Sequence, residues 1–156
     1  MEAELALNMI NTTSLQQARK QIQQLKKENK PIIVKAQDDA FNRKILEIKD
    51  VDIITDLEQH NRKDYIKQRD SGLNEILCKI AKQNNIKIAI NLQPIKSLPQ
   101  KQKSIILARI KQNIQLCKRT NTKIIILDKD KFTKQEIISF FLTLGASTSQ
   151  AKQAYS

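Results

Sequence analysis

Residues 69–94 read RDSGLNEILCKIAKQNNIKIAINLQP, and this stretch places a helix directly before a buried strand. A turn at Gly72 leaves Asp70 or Ser71 free to cap the helix. Apolar side chains then recur at the spacing of one helical face. The positions on this face are Leu73, Ile76, Leu77, Ile80 and Ala81. After an Asn-Asn pair that ends the helix, residues 86–92 form a nearly continuous apolar run, which is typical of a strand buried on both faces of a parallel sheet.

The rest of the chain repeats this helix–strand unit. Predicted strands cover residues 31–36, 51–55, 86–92 and 123–127, and residues 2–10 alternate weakly, as a strand or a frayed helix would. Hydrophobic strands joined by helices require crossover connections and therefore a parallel sheet. Each strand connects to the next along the chain, which favours a barrel-like or half-barrel arrangement over a doubly wound sheet. We therefore predict an α/β fold in a single domain over residues 1–156.

Capping residues mark where the predicted helices begin. Ser, Thr and Asp side chains accept hydrogen bonds from the first N–H groups of a helix, and a Glu or Gln in the first turn completes a capping box. The predicted starts are Thr13 with Gln16, Asp38 with Asp39, Thr133 with Glu136, and Ser97 with Pro99 in the first turn of a long helix. A short helix is predicted over residues 148–155.

The two cysteines, Cys78 and Cys117, fall on apolar helical faces, so we predict core residues of a protein in a reducing compartment. One histidine and no Cys-x-x-Cys motif make a conventional zinc site unexpected. No apolar run approaches the length of a membrane span, and the N-terminus lacks a signal-peptide layout. We expect a cytoplasmic protein with no membrane partner.

The charge of the chain is strongly positive. Lys and Arg number 28 against 16 Asp and Glu, which gives a net charge of +12 over 156 residues. A potential of this sign favours polyanions, with nucleic acid the first candidate and an acidic membrane surface the second. Residues 56–68 form a polar loop after a predicted strand, and its Arg62, Lys63, Tyr65 and Lys67 suit RNA or form a solvated loop.

Few residues point to catalysis by the chain itself. Gly72 and Gly145 are its only glycines, too few for a glycine-rich phosphate loop. The lone histidine, His60, would need a carboxylate such as Asp56 or Asp64 to act as a general base. Several aspartates follow predicted strands, where a barrel enzyme would hold Mg²⁺, although helix capping explains them equally well. They are Asp38, Asp39, Asp128 and Asp130.

Several short motifs occur in an order that resembles a known family. They are VDII at 51–54, RDSGLN at 69–74, NIQLCK at 113–118, Leu-Gly at 144–145 and Ala-Lys at 151–152. In this order they resemble ribonuclease P protein component 3, the archaeal relative of a eukaryotic nuclear ribonuclease P subunit. The resemblance extends from about residue 31 to the C-terminus.

The resemblance implies a TIM-barrel-like fold, here a partial or open barrel, related to metal-dependent phosphoesterases but without their histidine ligands. It implies a protein subunit that assists a catalytic RNA in removing 5′ leaders from precursor tRNA, together with a small ferredoxin-like protein subunit. No catalytic side chain and no protein-bound cofactor are then expected, because Mg²⁺ would be held by the RNA. Arg69 and Lys152, with Arg43 and Lys44, resemble basic family positions at or near the RNA. Apart from the resemblance, Arg62, Lys79 and Lys131 are also expected to bind RNA.

The chain departs from the family pattern at three places. Glu75 stands where many members carry histidine, and residues 128–131 read DKDK where the family has a small serine-containing loop. The chain also resembles the family only from about its third strand, which would leave two unpaired sheet edges unless another chain or a partner covers them.

Two other functions stay open at this point. One is a small metal-dependent phosphoesterase, and the other is a protein-interaction module whose charge only confers solubility. The phosphoesterase would use Asp38, Asp39, His60 and Asp128.

Overall fold

The computed structural model describes residues 8–59, 63–64 and 69–156. Within these residues a parallel sheet runs in the order β1-β2-β3-β4. The strands are β1 (Ile33–Lys35), β2 (Ile53–Thr55), β3 (Lys87–Ile90) and β4 (Ile124–Ile126). In register, Ile54 lies beside Val34 on one side and beside Ile88 on the other. The strand order equals the chain order, so the predicted parallel α/β fold is confirmed and the described residues form no doubly wound sheet. The partial or open barrel stays a prediction.

Ile10 extends the sheet beyond β1. It forms a parallel bridge to Val34, with its N–H donating to Ile33 O at 2.8 Å and its carbonyl accepting from Lys35 N at 2.9 Å. The pattern of residues 2–10 predicts a strand or a frayed helix, and Ile10 pairs as a strand residue does. Residues 2–7 lie outside the described residues.

Helices follow the strands and cover the sheet. They are α1 (Leu15–Lys27), α2 (Asp39–Leu46), α3 (Glu75–Gln83), α4 (Gln93–Lys96), α5 (Gln100–Thr120), α6 (Lys134–Thr143) and α7 (Thr148–Tyr155), with 3₁₀ turns at Leu57–Gln59 and Lys129–Lys131. No helix in the described part of the chain is long and apolar enough to cross a membrane.

Two of the predicted helix starts are confirmed. Asp38 accepts a hydrogen bond from Phe41 N at 2.8 Å and caps α2. Thr133 and Glu136 form the predicted capping box of α6, in which each side chain accepts from the backbone of the other residue.

Three predicted starts are wrong. Ser14, not Thr13, caps α1 by accepting from Gln17 N at 3.3 Å. Asn74 caps α3 through Leu77 N at 2.8 Å. Asp70 instead accepts from Gly72 N at 3.2 Å inside the preceding turn, so α3 begins later than predicted.

The third wrong start is that of the long helix α5, which begins at Gln100 directly after Pro99 and has no side-chain cap. The Ser97 hydroxyl, the predicted cap, instead donates to Pro94 O.

The apolar core includes residues from all four strands and most of the helices, and it contains both cysteines as predicted. One predicted core position is wrong, because the side chain of Ile76 is 61% exposed. Leu77, Cys78 and Ala81 make up the buried face of α3. Ile76 precedes this face by one position, and about 100° of helical rotation turns it towards solvent.

Candidate nucleic-acid interface

The turn before α3 lines a cavity of about 320 Å³ between α2 and α5. We call it the arginine cavity, and its lining residues are Asp39, Arg43, residues 69–74, Leu77 and Gln112. Arg43 comes from α2 and Arg69 from the segment before the turn, so two guanidinium groups distant in sequence share one cavity. The turn itself is tied to α5 by Asn113, whose Nδ2 donates to Ser71 O at 3.2 Å.

The two arginines are oriented by carboxylates but are not enclosed by them. Arg69 Nη1 donates to Asp64 Oδ2 at 2.9 Å, and Arg43 Nε donates to Glu47 Oε1 at 3.3 Å. Their side chains are 48% and 57% exposed. Since a guanidinium carries several N–H donors in a planar fork, both groups retain donors for an anion such as a phosphate.

Asp64 connects Arg69 to a buried arginine in the long helix α5. It accepts from Asp70 N at 2.8 Å and from Nε and Nη2 of Arg109 at 3.3 and 3.2 Å. The hydrogen bond from Asp70 N–H, helped by the two arginines, holds the pKa of Asp64 below its usual range. Arg109 also donates from Nη1 to Glu58 O at 3.1 Å and is 6% exposed. Asp64, which orients Arg69, is therefore itself held in place by the buried guanidinium group of Arg109.

Sequence reasoning missed Arg109. Its spacing could have revealed it, because Arg109 lies three residues after buried Ile106 and four residues before buried Asn113. A charged residue at a core-facing position of a helix requires a buried partner. That requirement predicts a polar contact between α5 and the loop that contains Asp64.

Acidic side chains follow the carboxyl ends of β2 and β4. Asp56 follows β2 with a φ of 65° and accepts from Asn91 Nδ2 at 3.2 Å. Burial raises the pKa of Asp56, although hydrogen bonds from Asn91 and Thr55 oppose the effect. Burial, and next the charge of Asp56, raises the pKa of Glu58 to about 8, so Glu58 holds its proton at neutral pH. Asp128 accepts from Leu92 N and Gln93 N at 3.0 and 2.8 Å and fixes the start of α4.

This arrangement does not support the metal-dependent phosphoesterase. Asp38 is used as a helix cap, Asp128 is used at α4, and His60 lies outside the described residues. Among the side chains that the structure describes, no group of three or more His, Cys, Asp or Glu residues is placed to hold a metal ion.

The other predicted RNA-binding residues that the structure describes do not line the arginine cavity. Lys44, on α2, is exposed with Nζ 3.9 Å from Glu47 Oε2. Lys79, on α3, pairs with Glu75 at 3.5 Å, so the residue that departs from the family pattern forms a surface ion pair. Lys131 ends the second 3₁₀ turn and Lys152 lies on α7, both exposed. Arg62 lies outside the described residues. RNA binding by all seven residues stays a prediction.

Fold and site together define a parallel α/β protein with a basic surface cavity at the start of a helix. The chain is similar to curated proteins named ribonuclease P protein component 3 from Methanococcus maripaludis. It is 26% identical over 117 residues to those of strains C7 and C6 and 25% identical to that of strain S2, covering 75% of this chain and 47% of each relative. The chain spans about half the length of the curated relatives it matches.

A solved structure has the same fold. A chain in the cryo-EM structure of archaeal ribonuclease P with mature tRNA matches with a TM-score of 0.76 at 20% identity, covering 94% of this chain and 62% of that chain. No family model matches the sequence. The resemblance predicted from the motifs is confirmed by the curated relatives, and the solved structure confirms the fold.

Proposed function

We propose that this chain is an RNA-binding protein subunit of ribonuclease P that promotes removal of 5′ leaders from precursor tRNA. Similarity to proteins named ribonuclease P protein component 3 over 75% of the chain supports this function. The observation that carries the proposal is the convergence of Arg43 and Arg69 on one cavity in a chain of net charge +12.

The arginine cavity suits a phosphate of the RNA backbone. Two partly exposed guanidinium groups offer paired N–H donors, a geometry that matches phosphate oxygens. The first turn of α3 adds the positive end of a helix dipole beside them. Neutralising phosphates at this place would release counterions and make RNA binding depend strongly on salt concentration.

In this proposal the RNA performs the chemistry. Mg²⁺ held by the RNA would activate the attacking water and stabilise the leaving oxygen, while the protein contributes positive charge and shape. The proposed partners are ribonuclease P RNA, precursor tRNA and a small ferredoxin-like protein subunit, acting together in the cytoplasm. Lys44, Arg62, Lys79, Lys131 and Lys152 are proposed as further RNA contacts.

Leader cleavage tests the proposal directly. Ribonuclease P RNA and the small partner subunit would cleave a precursor tRNA at modest Mg²⁺ concentration, with and without this chain. We expect the chain to stimulate cleavage and the double change of Arg43→Gln with Arg69→Gln to remove most of the stimulation. The double change of Arg19→Gln with Arg119→Gln is the matched control, because both arginines are exposed and lie outside the arginine cavity, and their replacement removes the same charge.

Two results would contradict the proposal. One is equal stimulation by the double variant and the control, which would remove the arginine cavity from the interface. The other is metal-dependent hydrolysis of a phosphoester by the protein alone, abolished by Asp39→Ala, which would assign the chemistry to the chain.

A further inference from the structure

We propose a second RNA-binding site at the opposite end of α3, where Lys82, Lys87 and Lys123 line a cavity of about 440 Å³. We call it the lysine cavity, and its lining residues are Lys82, Asn85, Ile86, Lys87, Asn121, Lys123 and Gln153. The ligand is the phosphodiester backbone of a folded RNA. The inference rests on the proposed function in taking the chain to be an RNA-binding protein.

The sheet register forces two of the lysines together. Lys87 is the first residue of β3, and Lys123 comes directly before β4. Ile88 pairs with Ile124, and Ile88 N donates to Lys123 O at 2.9 Å. Lys87 and Lys123 are therefore neighbours on adjacent strands, with Cα atoms about 5 Å apart. Like charges at neighbouring positions of a sheet repel each other and destabilise it.

No carboxylate of the described residues lies within ion-pair distance of these three lysines. Lys82, Lys87 and Lys123 form no ion pair within the part that the structure describes. Lysines elsewhere do, as in the pair of Lys26 with Asp50 at 3.0 Å. Three ammonium groups around one cavity therefore form a local positive charge that an anionic ligand can neutralise.

Neutral donors complete the site. Asn85 and Asn121 occupy the turns before β3 and β4 with φ values of 55° and 56°, and Gln153 approaches from α7. Their side-chain amides make no hydrogen bond to the described residues. Amide groups can donate to phosphate oxygens and can both donate to and accept from a ribose 2′-hydroxyl, which folded RNA displays.

The lining also distinguishes RNA from a membrane surface. Ile86 is the one apolar residue of the lining, and it is 2% exposed. A protein that lies on lipid needs exposed apolar side chains to enter the boundary between headgroups and acyl chains. The lysine cavity offers charge and hydrogen bonds only.

The two cavities lie at the two ends of one helix. The arginine cavity contains Asn74, which caps α3, and the lysine cavity contains Lys82 in the last turn. A nine-residue helix such as α3 is about 13 Å long. A folded RNA, or two helices of one RNA, can contact both ends.

Salt-dependent binding to a precursor tRNA transcript tests the second site. We would measure Kd from about 50 to 300 mM KCl for the unaltered chain and for the Lys82→Gln, Lys87→Gln, Lys123→Gln triple variant. The control triple variant changes exposed lysines outside both cavities and removes the same charge. Its substitutions are Lys20→Gln, Lys27→Gln and Lys101→Gln.

We expect the lysine-cavity variant to bind RNA at least tenfold more weakly than the control at about 100 mM KCl. The slope of log Kd against log salt concentration should also be smaller for this variant, by about 2–3. Without RNA, its melting temperature should equal or exceed that of the unaltered chain, because the repulsion is gone. Equal binding by the two triple variants would overturn the second site, as would a fall in melting temperature that accounts for the weaker binding.

The Arg43→Gln, Arg69→Gln double variant separates the two proposals. Weaker binding by this variant, with normal binding by the lysine-cavity variant, would overturn the second site and leave the proposed function standing. Weaker binding by the lysine-cavity variant alone would support the second site and would exclude the arginine cavity from the RNA interface. No binding by the folded, unaltered chain would overturn both.

Discussion

Replacing Glu58 by glutamine should change how the stability of the protein depends on pH. Glu58 is 1% exposed, and burial raises its pKa to about 8 from an ordinary value of 4.5. Below pH 4.5 both the folded and the unfolded chain hold the proton, and Glu58 has no effect on their balance. Between 4.5 and 8 the unfolded chain releases the proton while the folded chain keeps it, so rising pH favours unfolding.

The size of the effect follows from these two pKa values. One pKa unit corresponds to roughly 1.4 kcal/mol, so the full loss of stability above pH 8 is about 5 kcal/mol, and at pH 7 it is about 3 kcal/mol. Glutamine has nearly the same shape and no proton to lose. We therefore expect Glu58→Gln to be several kcal/mol more stable than the unaltered chain at about pH 8.5 and nearly equal to it at about pH 5.

Urea unfolding followed by circular dichroism at both pH values measures the difference. Glu75→Gln, at an exposed glutamate of α3, is the matched control and should follow the unaltered chain at both pH values. The raised pKa of Asp56 acts in the same direction and remains in every variant, so some pH dependence will persist in Glu58→Gln. If the pH dependence is the same with and without Glu58, the buried, protonated state inferred for this side chain is wrong.

Other substitutions test the packing around the arginine cavity and a helix end. Arg109→Met keeps the length of the side chain but removes the Arg109 donors to Asp64 and to the Glu58 carbonyl, while Asp70 N–H and Arg69 still donate to Asp64. We expect a loss of about 2–4 kcal/mol in urea unfolding, and an unchanged midpoint would contradict a stabilising role for the Arg109–Asp64 ion pair. Gly145→Ala should cost about 1–2 kcal/mol by the same measurement, because φ at Gly145 is 89°, a left-handed conformation that strains an alanine. A neutral result there would show that the end of α6 adjusts freely.

Patterns that involve neighbouring residues predicted much of the fold. The capping box of α6 and the bounds of α7 are confirmed because each depends on a few adjacent side chains. The predicted strands enclose the observed ones because apolar runs identify buried strands well. Their ends differ from the prediction, because β3 stops at Ile90 and not at residue 92, and a short helix follows at Gln93–Lys96.

Contacts between distant segments were harder to predict. Ile76 and Ile80 both fit one helical period, but only the packing of α3 against its neighbours decides that Ile76 is exposed. Arg43 and Arg69 were both expected to bind RNA, yet their position in one cavity depends on how α2 packs beside α3. Arg109 resembled the solvated basic residues of α5 because its partner Asp64 is distant in sequence.

The chain-order sheet has a consequence for how the protein folds. Each strand pairs with the next one along the chain, and the paired residues are 20, 34 and 36 positions apart. The entropy of closing a loop grows only with the logarithm of its length, so these closures differ by about 0.5 kcal/mol. No crossover is therefore strongly favoured as the starting point, and each helix–strand unit can add to one already formed. An insertion in the β3–β4 crossover would slow one step and leave the pairing of β1, β2 and β3 unaffected.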